Sequence, residues 1–205
     1  MVASIKSPAD IVNYSLRRIG NKNRVGNLYD GSNESSVALD VFTQVRDEFL
    51  RQSGAGFCER NAVGTVLKYA PEGGYFPPNT WDPTVNPPLP WFYEYAYPDD
   101  CIEVRALRQQ ALFVLDFDPQ PITFSVENDN YYTPARRVIL CNIANATIVY
   151  TGQVTDLSTW DSGAIEAFAA ALGRRLAPAL MGLDAAKLAV QDEAMETQLA
   201  AAEEG

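Results

Sequence analysis

The sequence predicts an α+β protein, in which a helical bundle formed by the N- and C-terminal helices carries an inserted antiparallel β module. Apolar residues recur at helical spacing up to residue 52 and again after residue 160, which predicts helices at both ends of the chain. The stretch between them holds short β-like runs separated by turn residues. Because an amphipathic helix cannot bury its apolar face alone, the helices of the two ends should pack together. The predicted parts are residues 1–56, 57–156 and 157–205.

Two helices are predicted in the N-terminal part. The first covers residues 7–20, because Ser7 can act as the cap, Pro8 suits the first helical position and Gly20 can end the helix in a left-handed conformation. The second covers residues 34–52, where apolar residues recur at helical spacing: Ala38, Val41, Phe42, Val45 and Phe49. Charged residues fill its other face, which we expect to face water: Arg46, Asp47, Glu48 and Arg51.

Strand patterns fill the middle of the chain. Alternation over residues 63–70 predicts a strand, and six further runs are bounded by turn residues: 92–97, 101–107, 111–117, 121–127, 135–142 and 145–151. Seven prolines between Pro71 and Pro90 predict an extended surface loop, since proline fixes φ and donates no hydrogen bond. The aromatic residues of this loop either anchor it on its own sheet or protrude as a contact for another protein: Tyr75, Phe76 and Trp81.

Two further helices are predicted after residue 157. Pro178 should kink or interrupt the first of them, because its ring clashes with the carbonyl of Arg174. Asp184 can cap the second helix, whose thin apolar stripe consists of Leu188, Met195 and Leu199. About 20 residues at 1.5 Å each make a rod of about 30 Å. Such a rod either lies on the bundle or docks in a groove of a partner.

The composition argues against several kinds of function. A net charge of −10 is unsuited to a general grip on nucleic acid, which needs phosphate-neutralising Lys and Arg. The chain has no histidine, which excludes Ser-His-Asp and Cys-His catalysis and histidine metal ligands. We therefore expect neither an enzyme nor a cofactor. No apolar run is long enough to span a membrane, and the first residues lack the apolar core of an export signal. The dispersed cysteines indicate reduced thiols in a cytoplasmic setting: Cys58, Cys101 and Cys141.

One stretch, "WFYEYAYPDDCIEVR" at residues 91–105, contains the residue types of a catalytic or metal site. Asp99 and Asp100 are sequence neighbours, however, and neighbouring side chains of an extended chain point to opposite faces. The two carboxylates therefore cannot easily share a metal or a proton. The segment fits a turn instead, with Pro98 at the second turn position and the two aspartates bonded to nearby backbone N–H groups.

Two other functions stay open from the residues alone. Asp116 and Asp118 share one strand face, and "ENDN" at residues 127–130 is rich in oxygen ligands, although neither has the glycine and terminal glutamate of an EF-hand loop. A metal-dependent hydrolase would use Asp116, Asp118 or Asp129. A carbohydrate-binding β module would use aromatic residues of the middle part: Tyr75, Trp81 and Trp91.

Taken in order, several segments resemble a family of phage virion proteins, the head-to-tail adaptors of short-tailed phages of the tubular tail protein A type. These segments are "ADIVNYSLRRIG", "DGSNESSVA", "FTQVRDEFLRQSGAGFCERNA", "YAYPDDCIEV" and "YTGQVTDLSTWDSGAIEAFAAALGRRLAPALMG". The family's aromatic-Phe-small-x-Arg segment corresponds to residues 56–60, where Gly56 stands at a position that tends to be Trp in the family.

The resemblance implies a structural role. Family members form a ring, commonly of twelve copies, beneath the portal, and DNA passes through the ring without being read. Their C-terminal segment docks on the portal and their β-rich part faces the tail nozzle. For this chain, the resemblance implies a portal interface at Leu188, Met195 and Leu199, and subunit or nozzle contacts at Tyr75, Phe76 and Trp81. It also implies assembly in the host cytoplasm, a final location in the tail or neck of the virion, and no membrane partner.

Overall fold

The structure, a computed structural model, describes residues 7–54, 56–75, 80–109 and 121–182. Within these residues the fold is α+β, with three α-helices and two antiparallel sheets, so the α+β part of the prediction is confirmed. The chain divides into two compact units. The β unit is Cys58–Gln153, and the helical unit combines Met1–Phe57 with Val154–Gly205.

The two N-terminal helices are α1 (Pro8–Arg18) and α2 (Asn33–Ser53). The hydroxyl of Ser7 accepts a hydrogen bond from the backbone N–H of Asp10, and the Asp10 carboxylate accepts one from the backbone N–H of Ser7. This reciprocal capping box satisfies two donors that a helix start leaves unpaired. Helix α2 ends at Gly54, whose φ of 58° is in the left-handed region that glycine adopts without strain.

The third helix, α3 (Ser162–Met181), packs against both α1 and α2. Its buried face meets aromatic side chains of α2, with ring centroids of Phe42 and Phe168 5.6 Å apart. A Cβ at Gly173 would lie 3.2 Å from the Ile19 side chain, so the helices α1 and α3 approach closely there. The helix continues through Pro178 to Met181, so the predicted interruption at this proline is wrong. Arg46 was expected on a solvated face, but its side chain is buried and paired with Asp47.

Seven strands form two sheets in the described part of the β unit. The strands are β1 (Glu59–Val63), β2 (Val66–Tyr69), β3 (Tyr93–Ala96), β4 (Cys101–Gln109), β5 (Phe124–Asp129), β6 (Arg136–Cys141) and β7 (Ala146–Gly152). One sheet has the order β1-β7-β4 and the other β2-β3-β6-β5, and all pairs are antiparallel. The strand predicted at residues 111–117 lies outside the described residues.

The core of the β unit contains side chains from both sheets. Tyr95, Ile139 and Cys141 of the four-stranded sheet join a cluster with Ile148 and Tyr150 of the three-stranded sheet. The chain passes between the sheets at Gly64, where an added Cβ would lie 2.5 Å from the ring of Tyr95. The single strand predicted over residues 63–70 is therefore wrong, because β1 and β2 belong to different sheets and residues 64–65 connect them.

Candidate functional site

One face of the four-stranded sheet carries Tyr95 and Ile139 of the core cluster, and the opposite face carries charged side chains. Lys68 on β2 is the cross-strand partner of Glu94 on β3, and Glu94 is the partner of Leu140 on β6. Leu140 in turn pairs with Ser125 on β5, and because side chains alternate along a strand, Asp129 lies on this face too. Both Lys68 and Glu94 are buried. The sheet thus brings residues of three strands together on a polar face that is shielded from water.

A cavity of about 190 Å³ lies over this face, and we name it the sheet-face cavity. Its apolar lining includes Val138 and Leu140 of β6, while Lys68, Glu94, Glu127 and Asp129 supply charged groups. Residues from the proline-rich loop, from β5 and from the β5–β6 connection complete it: Trp81, Pro83, Asn86, Pro88, Asn128, Asn130 and Tyr131. The cavity has the mixture of apolar surface and a few convergent polar groups that is typical of ligand sites.

The ammonium group of Lys68 has several partners. It forms an ion pair with Asp129 and donates a hydrogen bond of 2.9 Å to the carbonyl oxygen of Pro83. It lies 5.3 Å from the ring centroid of Tyr131 and 5.1 Å from that of Tyr132. The Lys68 side chain is only 4% exposed, so carboxylate, carbonyl and aromatic faces together replace its water.

The two carboxyl groups beside Lys68 have pKa values shifted in opposite directions. Burial raises the pKa of Glu94 to about 7, against a smaller opposing effect of the Lys68 charge. Burial also raises the pKa of Asp129, but hydrogen bonds from Lys68 and from the backbone N–H of Tyr131 outweigh it and leave that pKa lowered. Among the described residues, neither carboxyl oxygen of Glu94 has a hydrogen-bond partner, and the Lys68 nitrogen is 3.7 Å from Oε2. Glu94 thus depends on its ion pair with Lys68, while the neighbouring Asp129 carboxyl adds to the rise of the Glu94 pKa.

The proline-rich loop is tied to its own unit by hydrogen bonds. The indole N–H of Trp81 donates to the carbonyl oxygen of Pro87 at 2.7 Å, and the Asn86 amide donates to that of Tyr69 at 2.9 Å. The hydroxyl of Tyr75 lies 2.9 Å from the Pro87 oxygen and 3.0 Å from the Trp91 oxygen. Of the three aromatic residues in the carbohydrate hypothesis, Trp81 lines the sheet-face cavity, whereas Tyr75 has its hydroxyl directed to backbone oxygens.

The turn at residues 98–101 is closed by a hydrogen bond of 3.0 Å from the Cys101 N–H to the Pro98 oxygen. Pro98 thus occupies the first turn position rather than the predicted second, and Asp99 and Asp100 are the central residues. The Asp100 carboxylate forms an ion pair with Arg60 and accepts a hydrogen bond of 2.9 Å from the Tyr150 hydroxyl. Asp100 therefore links β1 and β7 as well as serving the turn.

The surroundings of Cys101 and Tyr150 disfavour the ionised forms of both side chains. Burial raises the pKa of the Cys101 thiol, although the Tyr97 hydroxyl acts in the opposite direction, so the reactive thiolate is disfavoured. Burial, with a further effect of the hydrogen bond to Asp100, raises the pKa of Tyr150 to about 12. Asp99 lines a separate open cavity of about 410 Å³ together with Arg136 and Arg137.

Several predicted site residues lie outside the described residues: Phe76, Asp116, Asp118, Leu188, Met195 and Leu199. Asp129 of the predicted oxygen-rich segment is described, and it faces the Lys68 ammonium. In the described ranges no group of three or more His, Cys, Asp or Glu residues is arranged to hold a metal ion. No helix in that same part of the chain is long and apolar enough to cross a membrane.

Lys68 and Glu94 are the site residues that sequence reasoning missed. Each is a single charged residue inside a short strand, at "VLKY" and "YEYA". A charge at the middle of an apolar strand is a signal for a buried pair, since it would otherwise be left on an apolar face. That signal does not identify the partner, because Lys68 and Asp129 are 61 residues apart in sequence.

Large hydrophobic side chains are exposed mainly on the β unit. Among the described residues they are Val63, Val66, Tyr69, Trp81, Val85, Leu89, Phe92 and Tyr131, against Tyr29, Leu39 and Met181 in the helical unit. Val63 is 67% exposed and Tyr69 is 64% exposed. Both lie on strands at the edge of their sheets, since β1 and β2 stand first in the sheet orders. Exposed apolar side chains at such edges are typical of protein contact surfaces.

A scan against protein-family models finds no model that matches this chain, and a search of curated proteins finds no matching protein. The function is therefore inferred from the motifs and geometry of the chain itself.

Proposed function

We propose that this chain is a structural virion protein, a head-to-tail adaptor. Its copies form a ring that joins the portal to the tail nozzle of a short-tailed phage and surrounds the passing DNA. The order of the sequence motifs supports the proposal, and so does the placement of a β unit between two segments of a helical unit. The net charge of −10 suits a conduit that does not hold DNA phosphates.

The observation that carries the proposal is the exposed apolar surface of the β unit. A ring requires each copy to present two different surfaces to its two neighbours, in addition to those for the portal and the nozzle. Val63, Val66 and Tyr69 follow one another along two edge strands with their side chains exposed. Because such side chains are seldom concentrated on the surface of a soluble monomer, a protein partner is the natural cover for them.

The helical unit has a different task in this proposal. We assign a bundle to α1, α2 and α3, and the packing of α1 and α2 on α3 supports that assignment. The predicted terminal helix, with Leu188, Met195 and Leu199, would be the portal-docking arm, and the β unit would face the nozzle. Assembly would take place in the host cytoplasm and place the protein in the neck of the virion.

The decisive experiment is to mix the purified chain with the cognate portal and to image the product for an added ring. We expect a ring on one end of the portal, and loss of that ring when residues 184–205 are deleted. Undiminished docking of the truncated chain would contradict the assignment of the arm. Absence of any complex with the full chain, checked by sedimentation, would contradict the adaptor function itself.

A matched pair of surface variants tests the contact surface. Tyr69→Glu changes an exposed residue of the β unit, and Tyr29→Glu makes the same change at a residue of the helical unit that is 81% exposed. Both should stay folded by circular dichroism. We expect Tyr69→Glu to prevent ring closure and Tyr29→Glu to leave it unchanged. Equal ring formation by both variants would exclude the β2 edge as a contact.

A further inference from the structure

We propose that the sheet-face cavity binds a neutral saccharide, with one pyranose ring packed against the indole of Trp81. The site lies entirely within the β unit, and the inference does not depend on the adaptor function. Three features of the lining carry it: two exposed aromatic residues, exposed polar groups that both donate and accept hydrogen bonds, and buried charges that are already paired with one another.

The aromatic residues of the cavity suit the apolar faces of a sugar ring. Trp81 is 42% exposed, and the hydrogen bond of 2.7 Å from its N–H to the Pro87 carbonyl fixes the orientation of the indole. Tyr131 is 61% exposed, and the Lys68 ammonium lies 5.3 Å from its ring centroid. The C–H groups of a pyranose carry a small positive charge and pack favourably on the negative face of an aromatic ring. Tyr131 thus takes the place that the carbohydrate hypothesis gave to Tyr75.

The exposed polar groups of the lining can both donate and accept hydrogen bonds. Glu127 and Asn130 line the cavity and are exposed. The Glu127 carboxylate accepts one bond of 2.9 Å from the Ser125 hydroxyl and keeps lone pairs for further donors. Among the described residues, neither the Asn130 amide nor the Tyr131 hydroxyl has a hydrogen-bond partner. Because each sugar hydroxyl both donates and accepts, a ring with several hydroxyls matches this set of groups.

The buried charges of the cavity favour a neutral ligand. Lys68 forms an ion pair with Asp129 and lies 3.7 Å from Glu94, and all three side chains are buried. In the described lining, therefore, no cation is left without a counterion for an anionic ligand, and the exposed Glu127 repels such a ligand. A cationic ligand gains little from Glu127, because water screens an exposed charge.

The size of the cavity limits the ligand to one ring. Its volume of about 190 Å³ is smaller than the pockets of about 300–1,000 Å³ that hold drug-sized ligands. A single pyranose ring is of the right size, and any further ring of a longer saccharide would extend into solvent. The ring has two sources, a free sugar or the end of a glycan chain, and both present the same chemistry to Trp81.

The test is calorimetric titration of the full chain with the methyl pyranosides of glucose, galactose, mannose, rhamnose and N-acetylglucosamine. Cyclohexanol, n-butylammonium and acetate are the matched controls, because they carry only a ring with one hydroxyl, a positive charge or a negative charge. We expect saturable binding of at least one pyranoside with a Kd of about 1–10 mM, which is typical of so small a ligand, and no binding of the controls. Failure of the whole panel to bind, or a control that binds as tightly as the best pyranoside, would overturn the proposal.

Two variants at exposed positions localise the binding. Trp81→Leu removes the aromatic ring and should weaken binding of the best pyranoside at least about tenfold. Asn130→Ala removes the amide and should weaken it at least about threefold, and this variant decides the matter if Trp81→Leu does not fold. Phe92→Leu, at an aromatic residue that is 41% exposed and outside the cavity lining, should leave binding unchanged. Unaltered binding by a folded cavity variant, or an equal loss with Phe92→Leu, would refute the site.

The source of the sugar is identified by comparing the best methyl pyranoside with a disaccharide in which the same ring is the terminal one. Tighter binding of the disaccharide would support the end of a glycan chain as the ligand, and equal or weaker binding would support a free sugar. Both results uphold the saccharide site. Binding of the disaccharide that persists undiminished in Trp81→Leu would place the sugar elsewhere and contradict the proposal.

Discussion

The β unit buries an ion pair between residues that are distant in sequence, whereas the ion pairs between distant residues that are described in the helical unit lie at the surface. In the helical unit, Arg175 pairs with Glu48 at 3.2 Å, and their side chains are 56% and 41% exposed. In the β unit, Lys68 pairs with Asp129 while the two side chains are 4% and 7% exposed. Arg46 is the exception in the helical unit, because it is buried, but it pairs with its own neighbour in the chain.

Apolar side chains show the reverse distribution. The helical unit packs the rings of Phe42, Phe49, Trp160 and Phe168 against one another, with centroid distances between 5.3 and 5.6 Å. The β unit leaves Val63 and Tyr69 exposed while it buries Glu94. Burial of a charged group lowers the free energy of unfolding, and an apolar side chain that stays exposed adds nothing to it. At these residues the β unit is therefore less stabilised than the aromatic cluster of the helical unit. Under the proposed function, the exposed side chains of Val63 and Tyr69 are the ones that a neighbouring copy would cover.

The largest expected effect tests the apolar core of the helical unit. Phe168→Ala removes a ring that contacts three other aromatic side chains. The free energy of unfolding should fall by about 3–5 kcal/mol, because both the burial of the ring and the packing around it are lost. Urea unfolding followed by circular dichroism measures the change. The exposed Tyr29→Ala should shift it by less than about 0.5 kcal/mol, and a loss equal to that of Phe168→Ala would contradict this view of the core.

The second-largest expected effect is the difference in unfolding free energy between breaking the buried pair Lys68–Asp129 and breaking the surface pair Arg175–Glu48. Lys68→Met leaves Asp129 and Glu94 buried without their counterion and should lower the free energy of unfolding by about 3 kcal/mol. Arg175→Met breaks the surface pair with Glu48 and should cost less than about 1 kcal/mol. Urea unfolding of both variants measures the difference. In an Asp129→Asn background the cost of Lys68→Met should shrink, and equal costs in both backgrounds would mean that the two residues are not coupled.

A third effect concerns pH. The pKa of Glu94 is raised from 4.5 to about 7 in the folded protein, so between these values the folded state binds a proton that the unfolded state lacks. The contribution of Glu94 to the free energy of unfolding is fully present below pH 4.5. It falls by about 1–3 kcal/mol as the pH rises through 7. Asp129, whose pKa is lowered, acts at more acidic pH and with the opposite sign.

Glu94→Gln should therefore gain stability relative to the natural sequence as the pH rises from 5 to 8. Thermal unfolding at a series of pH values measures this difference. Glu103→Gln, which makes the same substitution at an exposed residue of β4, is the control variant measured alongside it. A profile that is the same for Glu94→Gln and for the natural sequence would show that Glu94 does not titrate in this range.

The smallest expected effect tests the cap of α1. Ser7→Ala removes the hydroxyl that accepts from the Asp10 N–H and should cost about 1 kcal/mol. Urea unfolding measures it, with Ser36→Ala inside α2 as the matched control, where alanine is at least as favourable. A cap variant as stable as its control would mean that the first turn of α1 adds nothing to the helical unit.

The sequence predicted the regular elements best where their determinants are local. The observed bounds of α1 and α2 differ by one or two residues from those predicted, because caps and apolar spacing act within a few residues. Of the two predicted effects of Pro178, a kink or an interruption, the interruption was wrong for a related reason. Its local effect is the loss of one helical hydrogen bond, which tertiary packing of the buried face of α3 offsets.

Residues 63–70 show why the pairing of strands and the burial of their side chains could not be predicted from the sequence. Alternation indicated a strand but left open which neighbours it would have, and the chain changes sheets beside Gly64. On β2 this places Lys68 inside and Tyr69 outside, the reverse of what hydrophobicity alone favours. The turn at residues 98–101 was recognisable from Pro98 and two aspartates, but the bonds of Asp100 to Arg60 and Tyr150 were not.

By itself the sequence determined the α+β class, the Ser7 cap of α1 and the proline-rich loop, and its composition is unsuited to histidine chemistry or a general grip on nucleic acid. Only the tertiary structure decided that Lys68, Glu94 and Asp129 share one cavity, and that the exposed apolar side chains gather on the β unit. The physical reason is range. Caps and turns depend on hydrogen bonds between residues about three positions apart, whereas the Lys68–Asp129 pair joins residues 61 positions apart through the strand order of a sheet.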